Sequence, residues 1–272
     1  MNYFDALKED IGKHDVTTEL IIPKNAKIRA ALRVKENCVI CGLATASAVF
    51  KTLDKTIEFI PRAQDGQRIK RNKIIATLYG NARSILTCER VALNFLSLLS
   101  GIATETRRYV DRVRPYEVKI IDTRKTIPGL RALQKYAVRT GGGFNHRFCL
   151  DEMIIIKDNH LKITGGYTKL KKISHRLLIE AEVNSLKEFR EALNIKPDIV
   201  MLDNMPAKDI KQAVKIRNRA CANLKNPLPK LEASGGITLK NVRQMAATGV
   251  DMISIGALTH SLTSVDLSLE IQ

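Results

Sequence analysis

The chain has 272 residues, of which 44% are hydrophobic and 27% charged, enough apolar material for one large domain and a smaller one. Its 45 lysines and arginines against 28 acids give a net charge of +17, which attracts anionic partners of any kind. Aromatic residues are only 5%, tryptophan is absent and the cations are spread along the chain, so the pattern of a nucleic-acid-binding module is not met.

Residues 1–9 carry acids among their apolar positions and have no basic start followed by an apolar run, so no secretory signal is expected. No unbroken apolar run approaches the roughly 18 residues of a membrane span, and none is expected. The five cysteines, Cys38, Cys41, Cys88, Cys149 and Cys221, are odd in number and dispersed. They are expected to be free thiols in a reducing cytoplasm. Cys38 and Cys41 form a CxxC inside a strand-like apolar run, which favours two buried small hydrophobes over a metal or redox pair.

In chain order, the first 103 residues mix element types: a short acidic helix, a strand at 27–34, a helix at 43–53, a strand at 74–79 and a helix over 89–101. The last has Val91, Phe95 and Leu98 on one face. This part reads as an N-terminal α/β sandwich domain over 1–103. From 104 to 260 short apolar runs alternate with helical stretches. The runs are 118–121, 153–156, 177–183, 198–202, 231–233 and 252–255, and the helical segments include 130–139, 186–193, 207–218 and 239–247. Such alternation predicts a parallel sheet, here a barrel domain over 104–260, with the tail at about 261–272 returning to the first domain.

Barrel enzymes place their chemistry at the carboxyl ends of the strands. The first run is followed by Asp122, Thr123, Arg124 and Lys125, and the second by Lys157, Asp158, Asn159 and His160. The third carries Glu180 and Glu182. The fourth is followed by Asp203 and Asn204, the fifth by Ser234, Gly235 and Gly236, and the sixth by Gly256 with His260 nearby. These ends predict a single site ringed by loops.

Arg124, Lys125, His146, Arg147 and Lys157 make that ring strongly cationic, suited to carboxylates and phosphates. Gly141 to Gly143 and Gly235-Gly236 are turns where main-chain amides can approach a phosphate, with Ser234 and a helix starting near Thr238 completing a cradle. Glu182 and Asp203 are acids in a cationic ring. A magnesium ion carried by a pyrophosphate accounts for them, and carboxylates there also hold ribose hydroxyls and stabilise positive charge. Asp122, Asp158, Asn159 and His160 are expected to support these groups, and His14 and His175 to lie on the surface. The residues alone therefore point to a magnesium-dependent barrel enzyme for doubly anionic substrates.

The run Asp122-Thr123-Arg124-Lys125-Thr126-Ile127-Pro128-Gly129-Leu130-Arg131 resembles the signature of the quinolinate phosphoribosyltransferase family. So do Lys135 to Val138, Gly141 to Arg147, Ile156 to His160, Leu202 to Met205, Glu232 to Ile237 and Leu258 to Ser261. Glu89-Arg90 with Ala92 to Leu96, Ser100 to Thr104 and Asp15 to Thr18 extend the likeness over nearly the whole chain. The resemblance implies an N-terminal α/β sandwich and an open, incomplete α/β barrel of the type II phosphoribosyltransferase kind.

It further implies transfer of phosphoribosyl from phosphoribosyl pyrophosphate to quinolinate with decarboxylation, giving nicotinate mononucleotide for NAD biosynthesis. The enzyme would need magnesium and no organic cofactor. Homodimers are implied, with Arg90 acting across the interface, and hexamers are open. By motif position Arg90, Arg124, Thr126, His146, Arg147 and Lys157 bind quinolinate. Lys125, Glu182, Asp203, Ser234, Gly235, Gly236, Gly256 and His260 receive phosphoribosyl pyrophosphate and its metal, with Glu182, Asp203 and Lys125 closest to the chemistry. Departures are Val91, where a threonine is usual, and a small basic insertion at 218–230. The alternatives are a related molybdenum-transport-associated protein, which shares part of the signature, and a basic nucleic-acid-binding protein.

Overall fold

The computed structural model describes residues 3–170, 176–220 and 229–272. His175, Cys221 and residues 221–228 of the basic insertion lie outside the described residues.

The chain begins with helices α1 (Tyr3–Ile11) and α2 (Val16–Ile21). Asp15 caps α2, its carboxylate accepting the Thr18 N–H at 3.0 Å, which satisfies an amide the helix cannot. Strands β1 (Lys27–Val34) and β2 (Cys38–Val39) precede α3 (Leu43–Leu53). Gly42 sits before α3 at φ +104°, and the Asp65 carboxylate accepts the N–H groups of Gly42 and Leu43. Strands β3 (Glu58–Pro61), β4 (Arg68–Ile69) and β5 (Ile74–Asn81) lead into α4 (Ala82–Val113), far longer than the 89–101 stretch expected.

Then follow β6 (Lys119–Ile121), α5 (Arg131–Thr140), β7 (Ile154–Ile156), α6 (Asp158–Thr164), β8 (Ile179–Val183), α7 (Leu186–Ala192), β9 (Ile199–Asp203) and α8 (Ala207–Ala220). The chain closes with β10 (Lys230–Ser234), α9 (Val242–Ala246), β11 (Met252–Ser254), α10 (Ala257–His260) and β12 (Leu267–Ile271).

The chain divides into two compact units. The first holds residues 1–107, 127–142 and 258–272. Its antiparallel sheet runs in the order β12-β1-β5-β3, with Ala30 of β1 opposite Ile271 of the tail strand and Leu78 of β5. Leu32, Phe50, Ile75, Leu78, Ile85 and Leu96 join in one buried core. By length and composition α4 would suit a membrane span. Yet 61% of its most apolar window is buried inside the protein, so that face is spent on packing. Cys38, Cys41 and Cys88 are buried free thiols, and burial pushes Cys38 up to about 11 and Cys41 to about 12, which keeps the CxxC protonated. Cys149 is free and exposed.

Residues 127–142, read from the sequence as part of the barrel domain, group instead with the first unit. Packing explains this. The Tyr136 hydroxyl donates to the Asp65 carboxylate at 2.8 Å, and buried Gln134 accepts from Ile127 N–H and donates to the Thr259 carbonyl. Gly141, expected in a phosphate cradle, is a glycine because a Cβ there would fall 2.6 Å from the Ala103 carbonyl oxygen of α4.

The second unit, residues 108–126 and 143–257, is a six-stranded parallel sheet in the order β6-β11-β10-β9-β8-β7. Edge strands β6 and β7 are not paired with each other, so the barrel is open. Phe144 bridges to Ile121, which fixes the loop carrying residues 144–147 beside the end of β6. Helix α6 begins at the end of β7, directly after Lys157. There the Lys157 N–H donates to His160 Nδ1 at 3.0 Å, and Lys162 pairs with Asp158 at 3.2 Å along the first turn. The helix expected near Thr238 starts only at Val242. Asn241 accepts the Thr238 N–H and donates to the Gly236 carbonyl, so its side chain closes a turn ahead of the helix.

Candidate active site

Side chains two apart along a strand share a face, and this period decides which residues of the second unit meet. Glu180 and Glu182 on β8, Met201 and Asp203 on β9, and Glu232 and Ser234 on β10 are three such pairs. The parallel register sets Glu182 beside Met201, and Ser234 beside Asp203.

At these strand ends lies a cavity of about 380 Å³, lined among others by Arg124, Lys125, His146, Arg147, Lys157, Glu182, Asp203 and Ser234. The ring expected from the strand ends is thus one pocket, and most of its cations are within it. Thr123, Ile155, Met201, Glu232 and Ser254 also line it and were not singled out from the sequence. A signal for Glu232 was present, since it stands two residues before Ser234 on the same strand. Thr126, Gly235, Gly236 and Gly256 belong to the same unit but are not among the lining residues. Gly235, at φ +83°, is a packing requirement: a Cβ would fall 2.2 Å from Oδ1 of Asn204. Arg90 and His260 belong to the other unit. Arg90 is exposed on α4, and its charge opposes the upward push of burial on the neighbouring Glu89 carboxyl. His260 is exposed at the end of α10, with Nδ1 2.8 Å from the Ser261 hydroxyl.

The cations are held by local bonds. Buried Asp122 accepts the His146 N–H at 2.9 Å and the Asn145 side-chain amide at 2.5 Å, so it shapes the loop after Gly143. Arg147 donates from Nη1 to the Met153 carbonyl at 2.7 Å, while its buried Nε and that of Arg124 have no partner. Burial holds Arg147 below the usual arginine range, and the neighbouring Arg124 charge adds to this. A planar anion relieves both costs. His146 lines the same pocket, with Nδ1 accepting the Arg147 N–H at 2.8 Å and Nε2 3.0 Å from the Glu180 carboxylate.

Lys157 Nζ lies 3.7 Å from the Glu182 carboxylate. Burial pushes the Glu182 carboxyl up, Lys157 opposes it, and the Asp203 charge pushes in the same direction as burial. Two carboxylates that repel each other at neighbouring strand ends form a hard oxygen donor set that fits magnesium. The Asp203 carboxylate also accepts from the Asn204 side chain at 2.7 Å.

An open parallel α/β barrel with guanidiniums, lysines and a carboxylate pair around one strand-end cavity defines an enzyme of the phosphoribosyltransferase barrel class. Family descriptions of the quinolinate phosphoribosyl transferase N-terminal and C-terminal domains match residues 15–100 and 102–270 respectively. The chain belongs to the quinolinate phosphoribosyltransferase family. It is 43% identical to a probable carboxylating nicotinate-nucleotide pyrophosphorylase of Synechocystis, over 97% of this chain and 90% of that protein. To that of Methanocaldococcus jannaschii it is also 43% identical, over 98% and 94%. The solved nicotinate-nucleotide pyrophosphorylase of Francisella tularensis superimposes with a TM-score of 0.91 at 42% identity, covering 99% of this chain and 94% of that one.

Proposed function

We propose that this enzyme transfers the phosphoribosyl group of phosphoribosyl pyrophosphate to quinolinate, releasing pyrophosphate and carbon dioxide and forming nicotinate mononucleotide for NAD biosynthesis. The observation that carries this reading is the gathering of Arg124, Arg147 and Lys157 in one cavity that also presents Glu182, Asp203 and Ser234. The cations receive the two carboxylates of quinolinate, with the forked guanidiniums setting the plane of the ring. Lys125 and the Ser234 hydroxyl receive phosphate oxygens. Gly235, Gly236, Gly256, Thr126 and His260 belong to the same binding reading through their motifs.

Glu182 and Asp203 hold the ribose hydroxyls and stabilise positive charge at the sugar carbon as pyrophosphate departs. They would also hold magnesium, directly or through water, and bound magnesium neutralises charge on the leaving pyrophosphate. The ring nitrogen attacks the sugar carbon as pyrophosphate leaves; the pyridinium so formed stabilises the electron pair left on the adjacent ring carbon when its carboxylate departs as carbon dioxide, and that carbon then takes up a proton from solvent. Orientation of two anions and cancellation of their charge carry most of the rate gain. Homodimers in which Arg90 reaches the partner's pocket, and a cytoplasmic location, complete the proposal.

The test combines purified protein, quinolinate, phosphoribosyl pyrophosphate and magnesium, and measures nicotinate mononucleotide and carbon dioxide. Stoichiometric formation of both is expected. A folded protein that makes neither overturns the reading.

A further inference from the structure

Strand β6 is paired with β11 on one side, and its other side, at the open edge of the barrel, is met by the loop that carries His146 and Arg147. The Phe144 N–H donates to the Ile120 carbonyl at 2.8 Å, and the Asp122 N–H donates to the Phe144 carbonyl at 3.1 Å, which makes one rung of a parallel ladder. A second rung would take the His146 N–H to the Asp122 carbonyl. Instead the Asp122 carboxylate accepts that N–H, at 2.9 Å from Oδ1. Its other oxygen, Oδ2, accepts the Asn145 side-chain amide at 2.5 Å.

Beyond this rung the two segments part. One continues from Asp122 to Arg124 and the other from Asn145 to His146 and Arg147, and all three basic residues line the same cavity. Both arginines are half-buried, and the Arg124 charge works against that of Arg147. Repulsion between them pushes the loop off the edge strand. Asp122, fully buried where the segments diverge, opposes this by holding the other segment's backbone and side-chain amide. The cost of burying its carboxylate is offset, since each oxygen has an N–H donor. Asp122 and Asn145 are not among the residues that line the cavity, so they act on a ligand through the residues they hold.

We infer that Asp122 is a positioning residue for the anion pocket: its carboxylate replaces a missing rung at the open edge of the barrel and so fixes His146 and Arg147 relative to Arg124 before substrate arrives. A dicarboxylate then meets cations that are already in place, and no loop has to be ordered on binding. This rests on the dicarboxylate reading given above. The effect is selective. Glu182, Asp203 and Ser234 stand on β8, β9 and β10, strands with a neighbour on both sides, so the residues proposed for phosphoribosyl pyrophosphate do not depend on the loop.

Calorimetric titration with quinolinate, steady-state kinetics and amide hydrogen exchange are measured on wild type, Asp122→Ala, Asp122→Asn and Asn145→Ala. Asp122→Ala should weaken quinolinate by about tenfold or more in both Kd and KM, the scale of a lost hydrogen bond to a charged group. The KM for phosphoribosyl pyrophosphate should stay within about threefold, and amides of the 144–147 segment should lose protection from exchange. Asp122→Asn keeps an acceptor for the His146 N–H, and the Asn145 amide can turn its oxygen toward the new one. It should therefore restore protection and bring quinolinate to within about threefold of wild type. Asn145→Ala removes one bond and should fall between the two. Should Asp122→Ala not fold, Asn145→Ala decides, with quinolinate about three- to tenfold weaker and the other substrate unchanged. The deciding variant, folded and with wild-type quinolinate affinity, overturns the inference. Equal weakening of both substrates, or an Asp122→Asn as weak as Asp122→Ala, also overturns it. Wild-type protein that binds no quinolinate overturns the reading of function instead.

Discussion

Lys157 Nζ stands 3.7 Å from the Glu182 carboxylate, so one cation of the anion pocket is also the nearest counter-charge of the proposed metal and ribose ligand. Lys157 is half exposed, and the pair by itself adds little stability. Its worth lies in charge placement. Lys157→Ala should weaken quinolinate binding by ten- to a hundredfold, on the order of 1.5–3 kcal/mol for a charged hydrogen bond, while thermal unfolding shifts little. Arg124→Ala and Arg147→Ala should act alike. Calorimetry that finds quinolinate affinity intact in all three would remove the cationic pocket.

Gly235 has φ +83°, and a side chain there would run into Asn204, itself at φ +52°. Gly235→Ala should cost about 1–3 kcal/mol through strain and overpacking together. Urea unfolding checks this. A variant as stable as wild type would mean that Asn204 swings aside freely.

Glu232 is fully buried, and burial followed by the Glu180 charge pushes its carboxyl well above the ordinary range near 4.5. Folding thus takes up a proton. Its contribution to stability is full below about 4.5 and is lost as pH rises through the window up to the raised value, with a slope of at most about 1.4 kcal/mol per pH unit. Glu232→Gln has no proton to lose. Urea unfolding of both forms should therefore show wild type losing stability relative to the variant as pH rises above about 4.5. Parallel curves would mean that Glu232 ionises normally in the fold.

The proposed sharing of sites between subunits has its own test. Arg90→Ala and Lys157→Ala chains should each be inactive, and mixed dimers should regain part of the activity because one pocket receives an intact Arg90 and an intact Lys157. Verified mixed dimers without activity would place Arg90 in another role.

Much of the molecule could be read from the chain alone. Local patterns set the strands and most of their ends: the runs at 27–34 and 43–53 coincide with β1 and α3, and Arg124, Lys125, Lys157, Glu182, Asp203 and Ser234, at or just past the ends of barrel runs, line the cavity. Period and punctuation are properties of neighbouring residues, so a linear reading captures them. It also captures the cations of the pocket, because long charged side chains at strand ends have few other places to go.

What tertiary structure decided is which local groups meet. The parallel register, not any motif, sets Ser234 beside Asp203 and brings Glu232 to the cavity floor beneath His146. Gly141 reads as a phosphate turn until the Ala103 carbonyl oxygen of α4 lies 2.6 Å from where its Cβ would be. Residues 127–142 read as barrel until Gln134 and Tyr136 bind partners far along the chain. In each case the deciding partner is distant in sequence, and only the folded chain brings it within hydrogen-bond or van der Waals range.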